Sequence, residues 1–220
     1  MATSLALVLC LFLPSASAEP PTGGKSPPAS TIEDVLGRLE ERMSAMQTLR
    51  TDFIQEKHLA VLDRPLVLKG TVFMQKPGLF AWHVREPLRY SMVIRGETVR
   101  QWDEDSDRVQ EISLSKNPAF GMAIRQMRDW FSGAYRSMLG DYEVALVDQA
   151  PVSLRVIPRN TALARQVIGS VTVVFERDER YIKRIEVVEE GGDRTLLTFV
   201  DTLLNSPIDP SAWKFEQRVR

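Results

Sequence analysis

The sequence contains almost none of the residues from which disulfide frameworks and common metal sites are built. It has one cysteine, Cys10, and two histidines, His58 and His83, in 220 residues. A single cysteine excludes an internal disulfide and a cysteine-based metal cluster. The two histidines lie 25 positions apart, which is not the spacing with which one helix holds zinc. Neither a disulfide scaffold nor a metal cofactor is therefore expected.

The chain also lacks an excess of charge, a long apolar run and a recognisable catalytic motif. Lys and Arg number 28 against 29 Asp and Glu, whereas a nucleic-acid-binding protein normally carries a basic excess. The longest apolar run, residues 2–13, is shorter than the roughly 20 residues of a transmembrane helix. No G-x-S-x-G elbow is present. The sequence therefore predicts neither a nucleic-acid partner nor an enzyme.

The first residues have the layout of a secretory signal peptide. The apolar run is followed by Ala16-Ser17-Ala18, a small-x-small cleavage site. A lipoprotein signal is the alternative, because Cys10 lies in this segment, but Leu9 stands where a lipid attachment motif needs a small residue. We expect residues 1–18 to be the signal peptide, cleaved after Ala18.

The chain after Ala18 contains no cysteine, as expected of a protein that folds in the bacterial periplasm without disulfides. Residues 19–30 contain four prolines and two glycines and are predicted to be a disordered linker. Residues 31–220 are then expected to form one domain, which we expect to be monomeric.

Hydrophobic periodicity predicts two helices and about eleven strands. Apolar residues recur every three or four positions over residues 31–49, where Thr31 and Asp34 can cap a helix, and again over residues 118–139. Short connections between the strands require antiparallel neighbours. The fold class is therefore α+β, a single curved antiparallel sheet that forms an incomplete barrel under two helices. The predicted strands are residues 51–57, 66–75, 79–85, 90–94, 98–102, 142–146, 152–157, 170–176, 181–189, 195–200 and 213–215.

The apolar residues are rich in methionine and aromatic side chains. Four methionines, Met43, Met46, Met122 and Met127, fall in the predicted helices. Methionine is frequent on adaptable binding surfaces, although it is also ordinary core filling. A curved sheet lined by such residues can enclose an apolar ligand cavity. The aromatic residues counted toward this surface are Phe73, Phe80, Trp82, Trp102, Trp130 and Phe131.

An ordered set of motifs between residues 53 and 103 resembles the LolA family of periplasmic lipoprotein carriers. Phe53-Ile54-Gln55 matches the family's F-x-Q strand. The run from Gly70 to His83 matches its G-x-aliphatic-x-aliphatic-x-basic-P-x-x-aromatic-x-W pattern, with Lys76 at the basic position. Further on, Ile157-Pro158-Arg159 resembles the end of another family strand.

The resemblance implies a half-open barrel with an α-helical lid over an apolar cavity. The implied function is to shield the acyl chains of a lipoprotein between an inner-membrane donor transporter and an outer-membrane acceptor, without catalysis or a cofactor. Lys76 matches a position, usually arginine, that hydrogen-bonds the closed lid, and we expect it to act as a lid latch. The expected cavity residues are Val72, Met74, Phe80 and Trp82 on the strands and Met43, Met127 and Trp130 on the helices.

Two departures from the family pattern keep other functions open. The chain ends at Arg220, soon after Phe215, where the best-known carriers have a further loop and strand. The helical segment that contains Trp130 resembles relatives that accompany lipid or pigment exporters. The cargo can therefore be a glycolipid or a polyene-type lipid, and an enzyme or a sensor of lipidated proteins on the same scaffold remain alternatives.

Overall fold

The computed structural model describes residues 31–159 and 168–215. The predicted signal peptide and linker lie outside the described residues. The helices are α1 (Ile32–Ser44) and α2 (Pro118–Ser132), and no helix of the described residues is both long and apolar enough to cross a membrane. Two short 3-10 turns follow at Arg136–Gly140 and Pro210–Trp213. The strands are β1 (Thr48–His58), β2 (Leu66–Gln75), β3 (Leu79–Glu86), β4 (Tyr90–Arg95), β5 (Thr98–Asp103), β6 (Arg108–Ser113), β7 (Tyr142–Gln149), β8 (Val152–Pro158), β9 (Ile168–Phe175), β10 (Ile182–Glu189) and β11 (Arg194–Leu204).

All eleven strands belong to one antiparallel sheet in the order β6-β5-β4-β3-β2-β1-β11-β10-β9-β8-β7. Strands β1–β6 form one meander and β7–β11 a second, and β1 pairs with β11 to join them. Within the described residues, β6 and β7 remain the edges, so the barrel is not closed. This architecture confirms the predicted open half-barrel with a helical lid.

Side chains of β1 alternate strictly between the two faces of the sheet. In β1 every second side chain from Leu49 onward is buried, which is the period of a pleated strand. Phe53 lies on the concave face, opposite Phe199 of β11 and Gly70 of β2. A Cβ atom at Gly70 would lie 1.9 Å from the carbonyl oxygen of His83. Strand β3 therefore approaches β2 closely at a position that only glycine can occupy.

Helix α1 forms because its N-terminus is capped and one face is apolar. The backbone N–H of Asp34 donates to the Thr31 hydroxyl at 3.2 Å, and the N–H of Thr31 donates to the Asp34 carboxylate at 3.1 Å. The helix ends at Ser44, earlier than the sequence predicted, and Leu49 belongs to β1. Pairing of β1 with β2 begins at Thr48 and takes precedence over helical periodicity there. The buried face consists of Val35, Leu36, Leu39 and Met43.

Ten of the eleven predicted strands are present, and two differences cancel in the count. Strand β6 (Arg108–Ser113) was not predicted, because it is a polar edge strand with little buried surface. The predicted strand 213–215 is wrong, because Asp209 instead caps the 3-10 turn Pro210–Trp213 by accepting the N–H of Ser211 at 2.8 Å. The helical prediction for residues 118–139 holds to Ser132, after which Gly133 adopts a left-handed φ of 90° and ends α2.

Candidate functional site

Four side chains predicted to line a cavity lie together on the concave face of the sheet. Met74 of β2 stands opposite Phe80 of β3, and Val72 stands opposite Trp82. All four are at most 5% exposed. Phe53 packs against Trp82 with ring centroids 4.5 Å apart. The concave face is therefore a continuous apolar surface at the centre of the first meander.

The lid, which we define as α1 and α2, covers this surface with the predicted methionines and tryptophan. Met43 of α1 and Met127 and Trp130 of α2 are buried. Trp130 and Met127 line one void together with Trp82. The structure thus brings all seven predicted cavity residues into one apolar layer between lid and sheet.

Phe131 of α2, which the site prediction left out, occupies the centre of this layer. Its ring centroid lies 5.5 Å from that of Phe80 and 5.4 Å from that of Phe199. It therefore contacts both meanders at once. Its position four residues after Met127 on an amphipathic helix is the sequence signal that identifies it. Phe73 and Trp102, in contrast, were counted toward the cavity surface and lie on the convex face.

The voids found among the described residues of this layer are small. The void beside Trp82 and Trp130 has a volume of about 20 Å³, and a second void beside Trp130 and Tyr135 has about 10 Å³. Voids of this size hold at most one water molecule and cannot hold an acyl chain. The described conformation is therefore a closed one, in which lid side chains fill the predicted cavity.

Met43 is the residue at which the parts of the lid meet. The Tyr135 hydroxyl lies 2.7 Å from the Met43 sulfur and 2.9 Å from the Trp130 carbonyl oxygen. A Cβ atom at Gly133 would lie 2.8 Å from the Met43 Cβ, so the chain after α2 passes directly over this side chain. Burial raises the pKa of Tyr135 well above its usual value, which keeps this hydroxyl neutral.

Lys76, the predicted lid latch, lies at the end of this contact. Its ammonium nitrogen is 3.5 Å from the carbonyl oxygen of Met43, which is in the last turn of α1. Helix C-termini attract cations because their carbonyl groups are unsatisfied. Burial lowers the pKa of Lys76 from its usual value. The contact joins sheet and lid, although its length makes it weaker than a short charge-assisted hydrogen bond.

Polar contacts at the rim hold the lid to both meanders. Arg38 and Arg42 of α1 contact the Glu179 carboxylate in the β9–β10 connection at 2.9 and 3.1 Å. On the other side, Arg128 of α2 donates to the Gly96 carbonyl oxygen in the β4–β5 turn at 3.0 Å. The interface between the lid and the sheet thus has an apolar centre and a polar rim, like the interface between two proteins that associate reversibly.

A comparison with family models matches residues 44–216 to the family described as "Outer membrane lipoprotein carrier protein LolA". The chain belongs to the LolA family. Two related sequences are named outer-membrane lipoprotein carrier proteins. The one from Pseudomonas entomophila is 24% identical over 192 residues and covers 86% of each chain. The one from Chromohalobacter salexigens is 25% identical over 186 residues, covering 80% of this chain and 81% of the relative.

The solved structures extend the LolA comparison at the level of the fold alone. An uncharacterized conserved protein from Thermus thermophilus matches with a TM-score of 0.52 and 10% identity. The match covers 84% of this chain and 94% of that protein. The family assignment confirms the resemblance in the sequence motifs, and this structure agrees with the half-barrel.

A pocket of about 530 Å³ lies on the opposite, convex face of this LolA-family chain, between the strands and the C-terminal strap, which we define as residues 207–215. Its lining combines three cations, Arg50, Arg85 and Lys214, with apolar side chains of the strap and the sheet. His83 holds the strap, since its two ring nitrogens lie 2.8 Å from the Ser91 hydroxyl and the Ala212 carbonyl oxygen.

Within residues 31–159 and 168–215, no group of three or more His, Cys, Asp or Glu side chains could hold a metal ion. His83 lies on the convex face, away from the apolar layer, where its two ring nitrogens contact the Ser91 hydroxyl and the Ala212 carbonyl oxygen.

Proposed function

We propose that this protein is a periplasmic carrier that shields the acyl chains of a lipoprotein or another lipid between its lid and its concave sheet. The observation that carries the proposal is a large apolar face closed by helices that are fastened at their rim. Membership of the LolA family supports the same role. The proposed path leads from an inner-membrane donor to an outer-membrane acceptor.

Cargo binding is physically favourable because an acyl chain can replace the contacts that lid and sheet make with each other. Each CH₂ group that leaves water contributes about 0.8 kcal/mol, so an acyl chain has a strong tendency to enter a dry apolar site. Opening the lid exposes Phe131, Met127 and the sheet residues beneath them. An acyl chain that covers the same surfaces offsets this exposure, whereas water does not. Cargo binding and lid opening are therefore coupled.

A fluorescence displacement assay tests the carrier function. A hydrophobic fluorophore such as bis-ANS should bind the protein, and an acylated lipopeptide should displace it. Replacing Phe80 and Trp82 together by Ser and Gln should weaken binding at least about tenfold, because two large apolar side chains leave the site. Phe73→Ser is the matched control, because this aromatic residue of β2 faces the convex side. Unchanged binding by a folded double variant would show that the cavity assignment is wrong.

Two further measurements test the cargo and the location. Native mass spectrometry of protein purified from the periplasm should detect a bound acylated molecule, and a glycolipid or a polyene lipid there would replace the lipoprotein as cargo. N-terminal sequencing should find a chain that begins after Ala18. A lipid-modified Cys10 would contradict cleavage after Ala18, and an intact Met1 would contradict removal of a signal peptide.

A further inference from the structure

Three buried polar atoms beneath or beside the lid lack a hydrogen-bond partner among the described residues. They are the Tyr90 hydroxyl, the Gln101 side-chain nitrogen and the Trp130 indole nitrogen. Most buried polar groups in native proteins are hydrogen-bonded, because an unpaired donor has lost its water without compensation. Three such atoms in one apolar layer therefore require a functional explanation.

The Trp130 indole lies inside the apolar layer between lid and sheet. Trp130 lines both voids of the layer, one with Trp82 and Met127 and the other with Tyr135. A trapped water needs two to four polar partners. The Tyr135 hydroxyl already contacts the Met43 sulfur and the Trp130 carbonyl oxygen. In both contacts the Tyr135 hydroxyl is the donor, and the indole N–H has no acceptor among the described residues in the closed conformation.

Gln101 and Tyr90 lie on the same concave face, nearer the β6 edge. Gln101 of β5 stands opposite Met92 of β4, which in turn stands opposite Trp82. Tyr90 lies two residues before Met92 and so shares its face. Burial and the neighbouring Asp103 carboxylate raise the pKa of Tyr90, so its hydroxyl stays protonated. The concave face thus carries polar groups on β4 and β5, between Trp82 of β3 and the β6 edge.

We propose that Trp130 and Gln101 donate hydrogen bonds to the carbonyl oxygens that join acyl chains to their head group. The proposal rests on the carrier function and names the cargo class within it. A carbonyl oxygen accepts hydrogen bonds and donates none, so it complements an indole N–H and an amide N–H. A pure hydrocarbon or a polyene leaves both donors unpaired. Sites built to hydrogen-bond a ligand discriminate strongly against analogues that lack the partner.

A matched pair of lipids isolates this contribution. Dimyristoylphosphatidylcholine carries two ester carbonyl groups, and its di-O-tetradecyl analogue has ether oxygens in their place with the same chain length. In the fluorophore displacement assay, the wild-type protein should bind the ester lipid about tenfold more tightly than the ether lipid, as expected for one or two net hydrogen bonds. Trp130→Phe should reduce this preference to about twofold or less. The ester-to-ether affinity ratio within each variant is the readout, because the smaller ring also removes apolar surface from the site.

The control variants separate recognition from folding. Trp102→Phe removes another buried indole, but its N–H already donates to Asp107 at 3.1 Å on the convex side. It should keep the ester preference and lower the melting temperature. Both variants shrink a buried ring and leave a cavity, but only Trp102→Phe also breaks a hydrogen bond, so Trp130→Phe should lower the melting temperature less than Trp102→Phe does. An equal or larger loss in Trp130→Phe would indicate that its N–H is bonded in the native state and would overturn the proposal.

The outcomes also distinguish this inference from the carrier function. If neither lipid displaces the fluorophore, the carrier function itself fails. If the wild-type protein binds both lipids equally, only the carbonyl recognition fails. Gln101→Leu and its combination with Trp130→Phe complete the series. An ester preference that survives in the double variant would refute the assignment to these two residues.

Discussion

Removal of the Lys76 ammonium should make the lid open more often without unfolding the protein. Lys76→Leu deletes the cation that lies 3.5 Å from the Met43 carbonyl oxygen and retains an apolar stem at the rim. A short, shielded charge-assisted hydrogen bond contributes about 1.5–3 kcal/mol. The long distance and partial solvent access reduce this to about 0.3–1 kcal/mol, the range for a cation at a helix C-terminus.

This energy corresponds to an increase of about two- to fivefold in the population of the open lid. The lid remains mostly closed, because the contacts of Glu179 with Arg38 and Arg42 are unchanged. Stopped-flow mixing with a hydrophobic fluorophore should therefore show association faster by the same factor, with equilibrium affinity at least as high. Transfer of bound cargo to acceptor vesicles should slow, because a lid that closes less firmly displaces cargo less effectively.

Lys69→Leu is the matched control for this experiment. Lys69 lies on β2, the strand that ends one residue before Lys76, but its side chain is exposed and forms an ion pair with Glu86 at 3.0 Å. Its replacement should leave association and transfer at wild-type rates. Equal rates for Lys76→Leu and the wild-type protein would show that Lys76 is a solvated turn residue and not a latch.

Three other substitutions test the lid and the strap. Hydrogen bonds from Thr31 hold the pKa of Asp34 below its ordinary value of 3.8. The stability that these bonds give to α1 is therefore fully present above pH 3.8 and is lost as the pH falls through the lowered pKa. Hydrogen exchange over α1 should show this acid-induced loss in the wild-type protein but not in Asp34→Asn. His83→Leu should lower the free energy of unfolding in urea by about 1–3 kcal/mol and leave fluorophore binding unchanged, since it releases only the strap. Gly133→Ala should lower the free energy of unfolding by about 1–3 kcal/mol in the same titration, because a left-handed backbone and the adjacent Met43 both oppose a methyl group. An unchanged free energy would show that Gly133 does not pack against Met43 in this way.

The sequence predicts those parts of the fold that depend on local periodicity. Alternation along β1–β5 and β7–β11 and the three-to-four spacing in α1 and α2 are properties of a few neighbouring residues, and they identify these elements. Strand β6 cannot be predicted in this way, because Arg108, Gln110 and Glu111 leave it without an apolar face. Its strand conformation is imposed by pairing with β5. The extent of α1 was overestimated for the same reason, since pairing with β2 decides where the helix must stop.

The contacts that position the lid are beyond local patterns. Arg38 and Glu179 are 141 residues apart in the sequence, and nothing near either residue indicates the other. The unpaired donors are hidden for a different reason. Gln101 resembles any polar residue of an alternating strand, and only the fold shows that its face of β5 is covered. The aromatic residues Phe73 and Trp102 were counted toward the cavity surface by residue type, and only the strand pairing shows that they face the convex side.

The pairing of β1 with β11 has a consequence for the order in which the chain can fold. Strands β1–β6 pair only with sequence neighbours, and so do β7–β11, so each meander can form as soon as its own residues are available. The seam between them pairs Phe53 with Phe199. Until β11 is available, one whole side of β1 presents unpaired backbone groups, which are a template for association with other chains. A chain truncated before β11 should therefore depend on a holding chaperone, and slow arrival of the C-terminal strands should promote aggregation of the protein.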